Sequence, residues 1–146
     1  MGAIRVDKTL AAPIDGVFEL LSDHGNYDRF LGVTAARLTR EGQTEPNGVG
    51  AVRSIALGPI HFEEEITAFE RPRRMDYLIR RVNLPIDHDG GRITLEPDGA
   101  GTRVLWISTF GVPLPWIGGP LGLALAGTLR LGFVSLLEQI EVRLRS

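Results

Sequence analysis

Residues 120–145, PLGLALAGTLRLGFVSLLEQIEVRLR, place Leu125, Leu129, Phe133, Leu136, Leu137, Ile140 and Leu144 at steps of three and four. That recurrence lines side chains up along one stripe of an α-helix. Arg130, Glu138, Gln139, Glu141, Arg143 and Arg145 fall mostly on the opposite side, as an amphipathic helix requires. At about 1.5 Å per residue the helix would run roughly 39 Å. A stripe of that length needs an apolar surface to lie on. The chain before Phe110 reads mainly as strands, so that surface is a sheet.

Working outward, residues 3–10 put Ile4, Val6 and Leu10 on one face of a half-buried strand. Pro13 then opens a helix, where its missing N–H costs nothing, with Ile14, Val17, Phe18 and Leu21 as the inner stripe. Residues 22–26 end it, and Tyr27 to Leu31 make a second short helix. Strand-like runs follow at 34–40, 49–57, 60–69, 75–82, 92–96 and 102–110. Turn chemistry separates them at 42–48, Gly58-Pro59, 70–73, Asp89-Gly90-Gly91 and 98–101. Short connections favour antiparallel neighbours, because parallel crossovers need a dozen residues or more. The order predicts one α+β domain over residues 1–146. The expected architecture is a curved seven-stranded antiparallel sheet gripping the C-terminal helix, two short helices after strand one, and a cavity between sheet and long helix.

Composition narrows the function classes. The chain of 146 residues is 43% hydrophobic with a net charge of -2, which gives no global attraction to nucleic acid. Without cysteine, disulfides, thiol nucleophiles and cysteine–metal sites are excluded. Arg5, Asp7 and Lys8 interrupt the N-terminus before a signal-type apolar run can form, so a cytoplasmic location is expected. Between Val104 and Leu137 the one charged residue is Arg130. Pro113, Pro115, Pro120 and glycines 111, 118, 119, 122 and 127 break up the first part of that stretch. A spanning helix wants about 20 unbroken apolar residues, so a buried helix start behind a flexible apolar entrance is expected instead.

Ala11-Ala12-Pro13-Ile14 and Val17-Phe18-Glu19-Leu20-Leu21-Ser22-Asp23 resemble the opening of the START-like helix-grip superfamily (SRPBCC). The resemblance is closest to its bacterial polyketide cyclase/dehydrase-like members. Tyr27 and Phe30-Leu31 stand where that family has an aromatic-rich short helix. Residues 69–75 (FERPRRM) resemble its middle hairpin, and residues 101–106 (GTRVLW) the start of its last strand. The superfamily includes lipid carriers, hormone and pigment binders, aromatase/cyclases and chaperone regulators, and fold alone does not choose among them.

Candidate site residues follow from strand alternation. In residues 60–68, His61, Glu63, Glu65 and Thr67 share a solvent face, while Phe62, Glu64, Ile66 and Ala68 share the core face. Glu64 is therefore an inward acid. It reads either as a salt-bridged structural group or as a pocket carboxylate able to bind a hydroxyl or move a proton. Folding back around residues 71–73 sets Glu64 against residues 79–81. Continuing the Met75, Tyr77, Ile79 face makes Arg81 its partner and sends Arg80 outward, a choice that a one-residue slip reverses. Glu64 and Arg81 are the catalytic candidates, should there be catalysis.

Val104, Trp106, Ser108 and Phe110 share the inner face of the last strand. Tyr27, Phe30, Phe62, Tyr77 and Phe133 converge on the same interior. The expected ligand contacts are these aromatics with Glu64, Ile66, Ile79, Arg81, Ser108, Trp116 and Leu129. Ser108 and the Tyr77 hydroxyl would be isolated polar groups in an apolar chamber, the usual composition of a small-molecule site.

Asp87-His88-Asp89 ahead of Gly90-Gly91 has the residue types of an acid–base group but reads first as a solvated loop, and His24 as part of a similar helix-ending turn. His61, Glu63 and Glu65 lack a clear further ligand, so no metal is expected. No phosphate loop or dinucleotide fingerprint is present, and no cofactor is expected. The basic run at residues 71–74 lacks the interleaved aromatics of a nucleic-acid binder. Residues 111–122, with Trp116 and Ile117, could form a movable entrance, a transient membrane contact or a dimer contact, leaving monomer and homodimer both open. Three functions remain: a carrier of a lipid, polyketide or isoprenoid-like molecule, a polyketide aromatase/cyclase, and a protein-interaction module.

Overall fold

The computed structural model describes residues 2–145. Strand β1 (Gly2–Leu10) leads into α1 (Ile14–Ser22) and a short 3-10 helix (His24–Arg29). Six strands follow: β2 (Ala35–Arg40), β3 (Val52–Leu57), β4 (Ile60–Glu70), β5 (Arg74–Val82), β6 (Asp87–Asp98) and β7 (Gly101–Gly111). Helix α2 (Gly118–Arg145) closes the chain. The seven strands form one antiparallel sheet in the order β1-β7-β6-β5-β4-β3-β2. The helix-grip α+β architecture expected from the hydrophobic pattern is the one observed.

Alternation explains which face is inner. Ile4, Val6 and Leu10 of β1, Ile93 and Leu95 of β6, and Val104, Trp106, Ser108 and Phe110 of β7 are all buried. Helix α2 starts two residues before the expected Pro120 and runs unbroken, because Pro120 lies in its first turn, where no intrahelical N–H is needed. It is long and apolar enough, by length and composition, to cross a membrane.

The two halves of α2 are held differently. In the C-terminal half Leu137 and Ile140 are fully buried. The Glu141 carboxylate accepts from the Ala11 N–H at 2.6 Å, Gln139 Oε1 accepts from the Leu31 N–H at 3.0 Å, and Arg143 donates to the Arg29 carbonyl at 3.0 Å. In the N-terminal half Leu125, Leu129 and Phe133 are only partly buried, and Leu123 and Leu131 are exposed.

Four bulges break simple alternation; one lies between Leu38 and Arg40 on β2, and each of the other three relocates residues that matter. Between β4 and β5, Glu63 faces Arg81 but Glu64 faces Ile79, so Arg80 is supernumerary. At the next irregularity Ile66 faces Tyr77 while Ala68 faces Asp76. That change brings Phe69 rather than the expected Ala68 to the inner face, where its ring meets Phe18 at 5.1 Å. Between β6 and β7, His88 faces Phe110 and Gly90 faces Thr109, so Asp89 is the extra residue. Gly90 sits there at φ 147°, a conformation that favours glycine.

Residues 87–91 are therefore strand and not the expected loop, and the β5–β6 connection lies earlier, at residues 83–86. Glycine beside aspartate signals a bulge as readily as a turn, and local sequence does not separate the two.

Candidate functional site

Two polar clusters stand on the inner face of the sheet. The first is built where β3 meets β4. Arg53 lies directly opposite Glu64, and its Nε and Nη2 reach Glu64 Oε1 at 2.7 and 2.6 Å. Both residues are buried. The 3-10 helix brings His24 and Tyr27 against this pair. His24 Nδ1 accepts from Arg53 Nη1 at 3.1 Å, which leaves Nε2–H to donate to the Asn47 carbonyl at 2.9 Å. The guanidinium carbon lies 4.7 Å from the Tyr27 ring centre and 5.6 Å from that of Tyr77.

The electrostatics follow from burial and partners. Burial and the neighbouring Arg53 charge push His24 down from 6.5 to about 3, so the imidazole is neutral. Burial works against the Arg53 charge, but the attraction of Glu64 outweighs it and raises the guanidinium further. Burial likewise raises Tyr27, whose hydroxyl donates to the Leu21 carbonyl. Both Arg53 contacts fall on the same oxygen of Glu64, and Oε2 carries no hydrogen bond from the described residues. Among those residues no fully buried side-chain oxygen or nitrogen lacks a partner. Oε2 therefore borders open space.

The second cluster crosses three strands. Tyr77, Gly91 and Ser108 stand side by side on β5, β6 and β7. A Cβ at Gly91 would lie 2.1 Å from Tyr77 Cζ, so the tyrosine ring occupies the notch that a glycine leaves on the sheet. Lying flat there, Tyr77 reaches across toward Ser108, and its oxygen accepts from Trp106 Nε1 at 2.8 Å. The bulge at Asp89 turns His88 inward as well. His88 stacks on Tyr77 at 5.6 Å and 15°, and Nε2 meets Ser108 Oγ at 2.9 Å. Its Nδ1 accepts from the Ile79 N–H at 2.9 Å, taking the place of a backbone carbonyl in the ladder. Burial lowers His88, while burial and the nearby Glu64 charge raise Tyr77, so both are neutral near pH 7.

Apolar groups adjoin this polar patch. Trp106 stacks on Phe133 of α2 at 4.0 Å and 8°. Phe62, Leu125 and Leu129 are partly buried against the same core, and Ile79 is half-buried on β5.

A family model described as polyketide cyclase/dehydrase and lipid transport matches residues 1–144. The chain belongs to that family. Solved structures with the same fold include TTHA0849 from Thermus thermophilus, 22% identical, covering 98% of this chain and 97% of that one, TM-score 0.76. A START superfamily protein from Mycobacterium smegmatis is 12% identical, covers 95% of this chain and 97% of that one, and has a TM-score of 0.77. The dynemicin-locus protein DynU16 is 17% identical, with 99% of this chain but 47% of that one covered and a TM-score of 0.69. No curated protein matches.

In this polyketide cyclase-family chain most of the residues expected to contact a ligand point into the interior. Tyr27, Phe30, Glu64, Ile66, Tyr77, Trp106, Ser108 and Phe110 are buried, and Phe62, Ile79, Leu129 and Phe133 are partly so. Two residues stand elsewhere. Arg81 is outward, 83% exposed at its side chain and 3.8 Å from Glu63, because the bulge at Arg80 reverses the alternation beyond Ile79. Arg80 is also outward, 3.1 Å from Glu65. The expected Glu64–Arg81 pair is therefore replaced by Glu64–Arg53. Trp116 projects into solvent at 97% exposure, with a left-handed φ of 70° that turns it off the protein.

Two histidines expected in solvated turns do otherwise: His24 is fully buried and His88 half-buried. Arg53 and Gly91 are the site residues that alternation at β4 alone did not reveal. Among the described residues no group of three His, Asp or Glu side chains converges as a metal set. Glu65 instead meets Arg80 and Arg40.

Proposed function

We propose that this protein binds a hydrophobic small molecule of lipid, polyketide or isoprenoid type between the sheet and the N-terminal half of α2. The observation that carries this reading is the inner polar patch of Tyr77, Ser108, His88 and Glu64 Oε2, adjoined by apolar side chains. Sites for such ligands are mostly apolar with a few placed polar groups. Phe62, Ile79, Trp106, Leu129 and Phe133 form the greasy wall, and the loosely held half of α2 is the part able to yield to a guest. The apolar run around Trp116, Ile117 and Leu123 serves transient contact with a membrane from which such a ligand is taken.

Native mass spectrometry followed by solvent extraction tests the reading. A retained apolar molecule supports it. An empty protein that also shows no thermal shift with hydrophobic ligands counts against it.

A second reading, an aromatase/cyclase-type enzyme, has one specific support: Glu64 lies on the strand next to Tyr77, which stacks on the imidazole of a hydrogen-bonded His88–Ser108 pair, so an acid, a phenol and an imidazole share the inner face. Conversion of a poly-β-ketone by the purified protein, lost in Glu64→Gln, would favour it over simple carriage.

A further inference from the structure

The second cluster holds more protons than it has places to put them. Its donors are the Ile79 N–H, one imidazole N–H of His88, the Ser108 and Tyr77 hydroxyls and the Trp106 indole N–H. Ile79 takes His88 Nδ1, which fixes the remaining imidazole proton on Nε2. That proton goes to Ser108 Oγ at 2.9 Å. The indole N–H goes to the Tyr77 oxygen at 2.8 Å. No hydrogen bond joins Ser108 to Tyr77, and neither hydroxyl proton has an acceptor among the described residues. Five donors thus make three bonds. Both hydroxyl protons are left over.

The leftover donors have a defined setting. Glu64 is the inward neighbour of Tyr77 on the adjacent strand, two residues along the same face from Ile66, which pairs with Tyr77. The carboxylate oxygen with no bond, Oε2, makes no hydrogen bond to either hydroxyl. The Gly91 notch and the Trp106–Phe133 stack prevent the tyrosine ring from swinging away to find another acceptor.

From this imbalance we infer that the ligand presents a carbonyl oxygen, as in a ketone, ester or quinone, to the Tyr77–Ser108 hydroxyls. The inference rests on the ligand-binding reading above. A carbonyl oxygen has two lone pairs and brings no proton of its own, so it can take both hydroxyl protons and needs no further partner. An alcohol would bring a further proton and need a second partner for it, such as Glu64 Oε2, and a pure hydrocarbon would leave the hydroxyls unmatched in an apolar setting, which is costly. His88 acts here as a positioning residue: by taking the Ile79 N–H on Nδ1 it donates its own proton to Ser108 and leaves the serine proton free for the ligand.

The test uses 2-acetylnaphthalene, 2-ethylnaphthalene and 1-(2-naphthyl)ethanol as matched probes of the full-length protein, with Kd from fluorescence titration. Roughly tenfold tighter binding of the ketone than of the hydrocarbon is expected, the size of one net hydrogen bond. The infrared carbonyl band of the bound ketone should sit below its position in hexane. In Tyr77→Phe/Ser108→Ala the band should return toward the hexane position and the ketone preference should collapse, with hydrocarbon binding kept as the check on folding. The single variants should fall between.

Equal binding of ketone and hydrocarbon, or tighter binding of the alcohol, overturns the inference and leaves the carrier reading standing. Failure of all three probes to bind removes the carrier reading and the inference with it.

Discussion

Lowering the pH from 7 to 5 should cost this protein about 2 kcal/mol through His24 alone. The imidazole is fully buried between Arg53 and Asn47, and its pKa falls from 6.5 to about 3 on folding. The unfolded chain therefore binds a proton there that the folded chain refuses. Stability from this source is complete above about pH 6.5 and is lost as the pH falls toward 3. At pH 5 an unfolded imidazole is about 97% protonated and the folded one about 1%, which converts to roughly 2 kcal/mol relative to pH 7. Carboxylates titrate mostly below this window, so the interval from pH 7 to 5 reports on histidine.

Urea denaturation at both pH values measures the loss. Because burial lowers His88 too and adds a loss of the same sign, His24→Gln provides the comparison. It should weaken the protein at pH 7 yet flatten most of the slope. A wild-type stability that does not change over this interval, or a variant with an unchanged slope, would refute the description of His24 as a neutral acceptor of the Arg53 proton.

Other outcomes follow from the same geometry. Gly91→Ala should cost about 1–3 kcal/mol, since the new methyl must displace the Tyr77 ring; pairing it with Tyr77→Leu, but not with Tyr77→Phe, should recover part of the denaturation midpoint. Arg53→Met or Glu64→Leu alone should cost about 3–5 kcal/mol by leaving an unpaired buried charge. The double variant should lie near wild type or above it, as read by thermal and urea unfolding. Trp116→Gly should cost no stability in the same assay, since the side chain touches little and its backbone conformation suits glycine; vesicle flotation, in contrast, should register its loss if the lip meets a membrane.

Much of this architecture is legible in the sequence because its signals are periodic. The stripe from Leu125 to Leu144 and the inner face Val104, Trp106, Ser108, Phe110 need only local spacing to be read. Arg53 is also within reach. The tight turn at Gly58-Pro59 sets Leu57 opposite Ile60, and counting back along both strands sets Arg53 opposite Glu64. Arg81 cannot be placed by the same counting, because one supernumerary residue in a strand reverses the parity of everything beyond it. His24 and His88 are hidden for a different reason. Each is buried by a partner remote in sequence, Arg53 in one case and Ser108 in the other, and nothing in their own neighbourhoods announces it. Gly91 looks like a turn residue because a missing side chain leaves the same mark whether the backbone bends or a neighbour's ring fills the space.

The substitution of a side chain for a carbonyl at Ile79 reaches beyond hydrogen bonding. Strands β5 and β6 share only the pairs from Arg74–Thr94 to Tyr77–Gly91, after which the His88 ring takes over. The sheet is thus two panels, β2 to β5 and β6-β7-β1, sewn together along part of one edge. A seam of this kind concentrates compliance: the two panels can pivot about it without unzipping a full ladder. The imidazole stitch closes it, so one side chain ties β5 through β6 to β7 at the place where the ladder stops.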